Sequence, residues 1–120
     1  MGGFRSGRGS DKGAAGACTS SSSGAAAITQ NQRAGTFIVT MGGGHSIAAQ
    51  GGFVVTVSNT EIAADDTISV SCAGHSAGLP LTCAIIGLSA GTSLTVFVKN
   101  EHPSSAAAAA TTFRISWAIV

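Results

Sequence analysis

The chain has 120 residues, only 9% of them charged, and a formal net charge of +1. That length holds one domain, and the near balance of charge argues against a dedicated nucleic-acid binder. Globular proteins are usually charged at roughly a quarter of their positions. This surface must therefore be built from Ser, Thr, Gly and Ala, which suits contact with other protein because few charges need desolvating there.

Residues 1–35 read as an extended Gly/Ser/Ala-rich arm that carries Arg5, Arg8, Lys12 and Arg33 against Asp11, a net +3. Residues 36–120 carry Lys99 and Arg114 against Glu61, Asp65, Asp66 and Glu101, a net −2. The four arm cations are the candidate partner-binding residues, placed to dock on an acidic neighbour. So few charges predict no nucleic-acid partner. Residues 1–27 hold too few large apolar groups to offset backbone ordering. They are expected to take shape only against another molecule, and their deletion to leave a folded body. Residues 28–35 form a bridge to that body.

Strand patterns follow. Residues 36–41 are the first. In 53–58, Phe53, Val55 and Val57 share a face. In 67–72, Ile68, Val70 and Cys72 alternate with hydroxyl residues. Residues 82–88 read as a more buried strand. Leu94, Val96 and Val98 share a face in 93–99, as do Phe113, Ile115, Trp117 and Ile119 in the last run. Gly42–Gly44, Gly51-Gly52, Asn59-Thr60-Glu61, Ala73-Gly74-His75 and Gly91 punctuate them. Short strands at this spacing predict an all-β fold. The expected form is an antiparallel β-sandwich or jelly-roll-like domain over 36–120, preceded by the arm. The run Ala106–Ala110 has high helix propensity but is too short to nucleate, so a loop is expected there.

No stretch has the length to span a bilayer, and Met1-Gly2-Gly3-Phe4-Arg5 lacks the apolar segment of a secretory signal. Synthesis in a reducing cytoplasm and no membrane partner are expected. The three cysteines, Cys18, Cys72 and Cys83, form no disulfide-scaffold pattern. Cys72 and Cys83 read as small core residues, and whether they pair is open.

Several motifs suggest chemistry and fail on context. Gly87-Leu88-Ser89-Ala90-Gly91 matches the nucleophile-elbow pattern, but an elbow needs a helix after its strand and a large α/β sheet. Gly44-His45-Ser46 and Gly74-His75-Ser76, with Asp65 and Asp66, offer the parts of a triad, yet geometry defines a triad and composition does not. The histidines are expected in exposed turns. Cys72, His75, Cys83 and His102 lack paired zinc-knuckle spacing. Residues 59–66 lack the acidic alternation of a calcium loop. No catalytic residue, cofactor or metal is expected.

One resemblance stands out. Phe53-Val54-Val55-Thr56-Val57-Ser58-Asn59, then Ile62-Ala63-Ala64-Asp65-Asp66 and Thr67-Ile68-Ser69-Val70, resembles small tailed-bacteriophage virion structural proteins. In that family a strand ending in Asn or Ser is followed by an x-Ala-x-Asp turn and a further strand. Gly91-Thr92-Ser93-Leu94-Thr95-Val96-Phe97-Val98-Lys99-Asn100 is similar to their Gly-Ser-Phe-x-Val-x-Val-x-Asn strand. The terminal Phe113-Arg114-Ile115-Ser116-Trp117-Ala118-Ile119-Val120 is similar to their closing Ile-x-Trp/Phe-Ala-Ile-Ile. Ile28-Thr29-Gln30 and Gly35-Thr36-Phe37-Ile38 echo it more weakly. The pattern covers residues 28–120, leaving out the arm and matching poorly between Cys72 and Cys83. It implies a non-enzymatic β-sandwich of the virion. The expected role is a capsid decoration or cement protein on the head surface, homotrimeric and bound to the major capsid protein. The alternatives are a head- or tail-fibre subunit, or a carbohydrate-binding host-attachment module. The last is disfavoured by one Trp and no Tyr, since sugars stack on exposed aromatics.

Overall fold

The computed structural model describes residues 16–120. Its eight strands are β1 (Gly16–Thr19), β2 (Ala25–Thr29), β3 (Ala34–Thr40), β4 (Gly52–Ser58), β5 (Ile68–Ala73), β6 (Leu81–Ser89), β7 (Ser93–Asn100) and β8 (Thr112–Ile119). They form two four-stranded sheets, β1-β3-β8-β5 and β2-β4-β7-β6, packed face to face as a sandwich. Only β6 and β7 are consecutive within one sheet; every other connection crosses to the opposite layer.

The expected alternation places the core. Phe37 and Val39 of β3, Phe53, Val55 and Val57 of β4, Leu94, Val96 and Val98 of β7, and Phe113 and Ile115 of β8 are buried. Each such side chain contributes about 1.5–3 kcal/mol through removal from water. Phe53 and Phe113 meet edge to face, 6.3 Å between ring centroids at 83°, a favoured arrangement of the ring quadrupoles. The alanine run is a loop, as expected. Ala107 is buried there and bridges to Ile47.

The layers are mixed rather than wholly antiparallel. β1 pairs parallel with β3 and β2 parallel with β4, whereas all other pairs are antiparallel. Both parallel strands lie in the stretch assigned on sequence to the arm, so residues 16–35 belong to the sandwich. Small side chains did not prevent this, because the backbone ladder to β3 and β4 supplies the hydrogen bonds. Ala26 is buried, and Cys18 and Ile28 pack on the core. A deletion of residues 1–27 strips β1 and half of β2, so it is not the clean arm removal that the sequence suggested. Arg5, Arg8 and Lys12 lie outside the described residues.

Three buried amides fasten the crossing segments. Gln30 accepts from Trp117 Nε1 at 2.8 Å and donates to the Thr36 carbonyl at 3.0 Å. Asn59 donates to the Gln30 and Gln32 carbonyls at 2.6 and 2.7 Å and accepts from Glu61 N. Asn100 donates to the Ile47 and Ser105 carbonyls and accepts from His102 N. Asn59, just after β4, and Asn100, the last residue of β7, thus act as brackets, each satisfying backbone groups that the strands leave unpaired.

Residues 82–88 were expected to be buried, and they are not. β6 is the outer strand of its sheet and every residue in it is at least partly exposed. A continuous apolar run fits burial on both faces, but here a bulge between Ile85 and Gly87 breaks the register against β7.

Candidate interaction surface

The two sheets close differently along their length. Inward residues of β3, β4, β7 and β8 are sealed, whereas those of β5 and β6, at the outer ends of their sheets, stay half-exposed. Ile68, Val70 and Cys72 on one side, and Leu81, Cys83 and Ile85 on the other, line this open side. Beside it the bulge leaves Ile86 58% exposed, and Leu88, opposite buried Leu94, 38% exposed.

Register adds a second apolar feature. On the outer face of the β2-β4-β7-β6 sheet, Ala84 stands opposite Phe97, Phe97 opposite Val54, and Val54 opposite Ala25. The four make a row across every strand of that layer. The Phe97 ring lies over Gly52, where a Cβ would overlap it. The other layer differs. Its outer face pairs Thr36 with Ser116 and Ser116 with Ser71, and Thr40 with Thr112, with Arg114 beside Ile38 and Ala73. Away from this row the first layer's outer face is polar as well, with Thr56 opposite Thr95, Ser58 opposite Ser93 and Thr82 opposite Lys99. An apolar row and an exposed Ile86 beside an unpaired strand edge mark a candidate contact site.

The charged groups are sparse and peripheral. Arg33 is exposed, and its carbonyl accepts from Ile119 N at 2.8 Å. Lys99 and Glu101 approach to 3.7 Å, each about two-fifths exposed, a pairing that contributes little in solvent. Glu101 also accepts from Thr82 Oγ1 at 2.9 Å. Asp66 accepts from Ala63 N at 2.7 Å, ordering the turn ahead of β5.

The candidate chemical motifs resolve into structural contacts. Gly87, Leu88 and Ser89 end β6, and Ala90 and Gly91 form the hairpin turn into β7, with Thr92 N bonded to Ser89 O. Gly91 has φ +65°, which its lack of a side chain permits. His45 Nδ1 lies 2.7 Å from Ser20 Oγ, which also accepts from Gly42 N at 2.8 Å, so this Ser–His contact clamps β1 to the loop after β3. Ser46 instead donates its N–H to Ser23 Oγ. His75, expected in an exposed turn, is buried. Its Nδ1 accepts from Ala77 N and Leu79 N at 3.1 and 3.4 Å, leaving Nε2 without a partner. Burial pushes its pKa down. His102 organises its own loop in the same way, accepting from Ser104 N and Ser105 N.

Cys72, His75, Cys83 and His102 were weighed as zinc ligands. No group of three or more His, Cys, Asp or Glu is placed to hold a metal among the described residues. Cys72 and Cys83 do meet: a hydrogen bond between the thiols pushes the Cys72 pKa up, burial adding to it, and draws that of Cys83 down against burial. Burial alone raises Cys18.

The exposure of Ile86 departs from the burial expected of residues 82–88. Its signal was present in Ile85-Ile86-Gly87, where two adjacent branched residues interrupt the alternation and a bulge restores it. No protein-family model matches the chain, and no curated protein or solved structure is significantly similar to it.

Proposed function

We propose that this chain is a structural subunit of a bacteriophage virion, a capsid decoration protein that binds the major capsid protein and stabilises the head shell. The observation that carries the reading is the uncovered apolar surface of β6 and its sheet: Ile86 in an edge-strand bulge, next to the row Ala84, Phe97, Val54 and Ala25. A strand written for burial on both faces but left at a sheet edge is suited to being covered by another subunit. The resemblance in residues 53–70, 91–100 and 113–120 supports the virion assignment, and the scarcity of charge supports close contact with protein. Repetition over a shell turns weak contacts into avidity. In this reading the bodies associate as trimers, and Arg5, Arg8, Lys12 and Arg33 add attraction to an acidic shell surface.

The test uses shells assembled from the capsid protein of the same phage genome, sedimented with full-length chain, an Ile86→Lys variant and a deletion of residues 1–15. The deletion removes Arg5, Arg8 and Lys12 and keeps all eight strands. Ile86→Lys should leave folding stability within about 0.5 kcal/mol, as exposed substitutions do, and lower shell binding at least tenfold. The deletion should weaken binding further as salt is lowered relative to wild type. Full binding by Ile86→Lys removes the apolar surface from the interface and overturns the assignment. A copy number in virions far below that of the capsid protein would instead favour the fibre subunit.

A further inference from the structure

Cys72 and Cys83 come from different layers. Cys72 stands opposite Ile115 on the outer strand of one sheet, and Cys83 opposite Val98 on the outer strand of the other. Both side chains point inward against the core, and both remain partly accessible. Residues 74–80 join β5 to β6, which pack together, so both cysteines lie on the half-exposed side of the sandwich.

We propose that Cys72 and Cys83 are a disulfide-forming pair, oxidised by a small-molecule disulfide such as oxidised glutathione, whose bond latches the two sheets across their open side. Sandwich domains tolerate a cross-sheet disulfide of this kind. β5 and β6 pack against each other, and the two thiols are near enough to shift each other's ionisation, the proximity that pairing cysteines on separate strands requires.

The order of attack follows from the environment. Cys83 is the thiol whose ionised form is favoured, because Cys72 S–H donates to it. The Cys83 thiolate attacks one sulfur of oxidised glutathione; that S–S bond breaks, and one glutathione leaves as a thiolate that takes up a proton. Cys72 then gives up its proton and attacks the Cys83 sulfur of the mixed disulfide, expelling the second glutathione. Two protein thiols lose two electrons and one glutathione disulfide gains them, ending as two glutathione thiols. Cys18 sits on β1, pairs with neither, and its raised pKa makes it the poorer nucleophile.

The experiment equilibrates the full chain with glutathione buffers of increasing oxidised fraction, quenches with acid, unfolds, and alkylates the remaining thiols. Intact mass should show loss of two hydrogens with no retained glutathione and a single alkylation. Peptide mapping should place that alkylation on Cys18. The oxidised protein should melt about 10 °C higher, the scale expected for closing a short loop in a domain of this size. A Cys72→Ser variant should hold one glutathione on Cys83. Because the main readout uses the unmutated chain, poor folding of that variant leaves the test intact. Stable glutathione adducts on both Cys72 and Cys83, or two free thiols at these positions in buffer that fully oxidises the unfolded chain, would overturn the proposal.

Discussion

Replacing Gln30 by alanine removes the only polar partner given to the indole of Trp117 and the bond from Gln30 Nε2 to the Thr36 carbonyl. Gln30 is 6% exposed and Trp117 3%, so water cannot take over either role without opening the seam between β2, β3 and β8. A stranded buried N–H costs about 1–3 kcal/mol and a lost neutral bond about 1 kcal/mol, which gives roughly 3 kcal/mol for Gln30→Ala. Trp117→Phe strands the Gln30 Oε1 and thins the packing, with a loss of about 2 kcal/mol on the same reasoning. The double variant no longer strands either group, so its loss should fall short of the sum by about 1–2 kcal/mol. Urea unfolding followed by far-UV circular dichroism measures all four proteins. Fluorescence cannot serve, since Trp117 is the only tryptophan. Losses that add to within about 0.3 kcal/mol would show that the two side chains act independently. The account of how residues 16–33 are fastened would then be refuted.

Asn59→Asp turns a buried double donor into an acceptor facing the carbonyls of Gln30 and Gln32. A loss of about 3 kcal/mol or more is expected at neutral pH. Partial recovery on acidification, as the carboxyl regains a proton to donate, is checked by urea titrations at two pH values. His75 is disfavoured as a cation in the fold, so the unfolded chain binds the proton more readily. Stability is therefore full above the ordinary value of 6.5 and declines as pH drops from there through the lowered folded value. His75→Asn, whose Oδ1 can still accept from Ala77 N, should flatten that decline in melting temperature between pH 7 and 5. An unchanged slope would assign the effect to other groups.

The central strands were legible because each shows one buried face to the core, and Phe53, Val55 and Val57 or Leu94, Val96 and Val98 announce it by alternation. β1 and β2 were not legible. Gly16, Ala17, Cys18 and Thr19 carry too little apolar surface to signal a strand, and their order comes from ladders to β3 and β4 and from Gln30, whose partner Trp117 lies far along the chain. β6 misled for the opposite reason: its apolar content is that of an inner strand, while its place in the sheet is set by the hairpin to β7. The outward row of Ala84, Phe97, Val54 and Ala25 needs the register of all four strands, which no local pattern carries. The meeting of Cys72 and Cys83 is equally non-local, fixed by which strands end up outermost.

β8 occupies the middle of its sheet, hydrogen-bonded to β3 on one side and β5 on the other, yet it follows both of them, and the other five described strands, in chain order. On the ribosome, β3 and β5 therefore emerge with no shared neighbour, and the layer has a gap down its centre until residues 112–119 arrive. Such distant pairing makes for slow folding. A nascent or prematurely stopped chain would display Phe37, Val39, Val70 and Cys72 to solvent. Those core residues are covered only once residues 112–119 are inserted between β3 and β5.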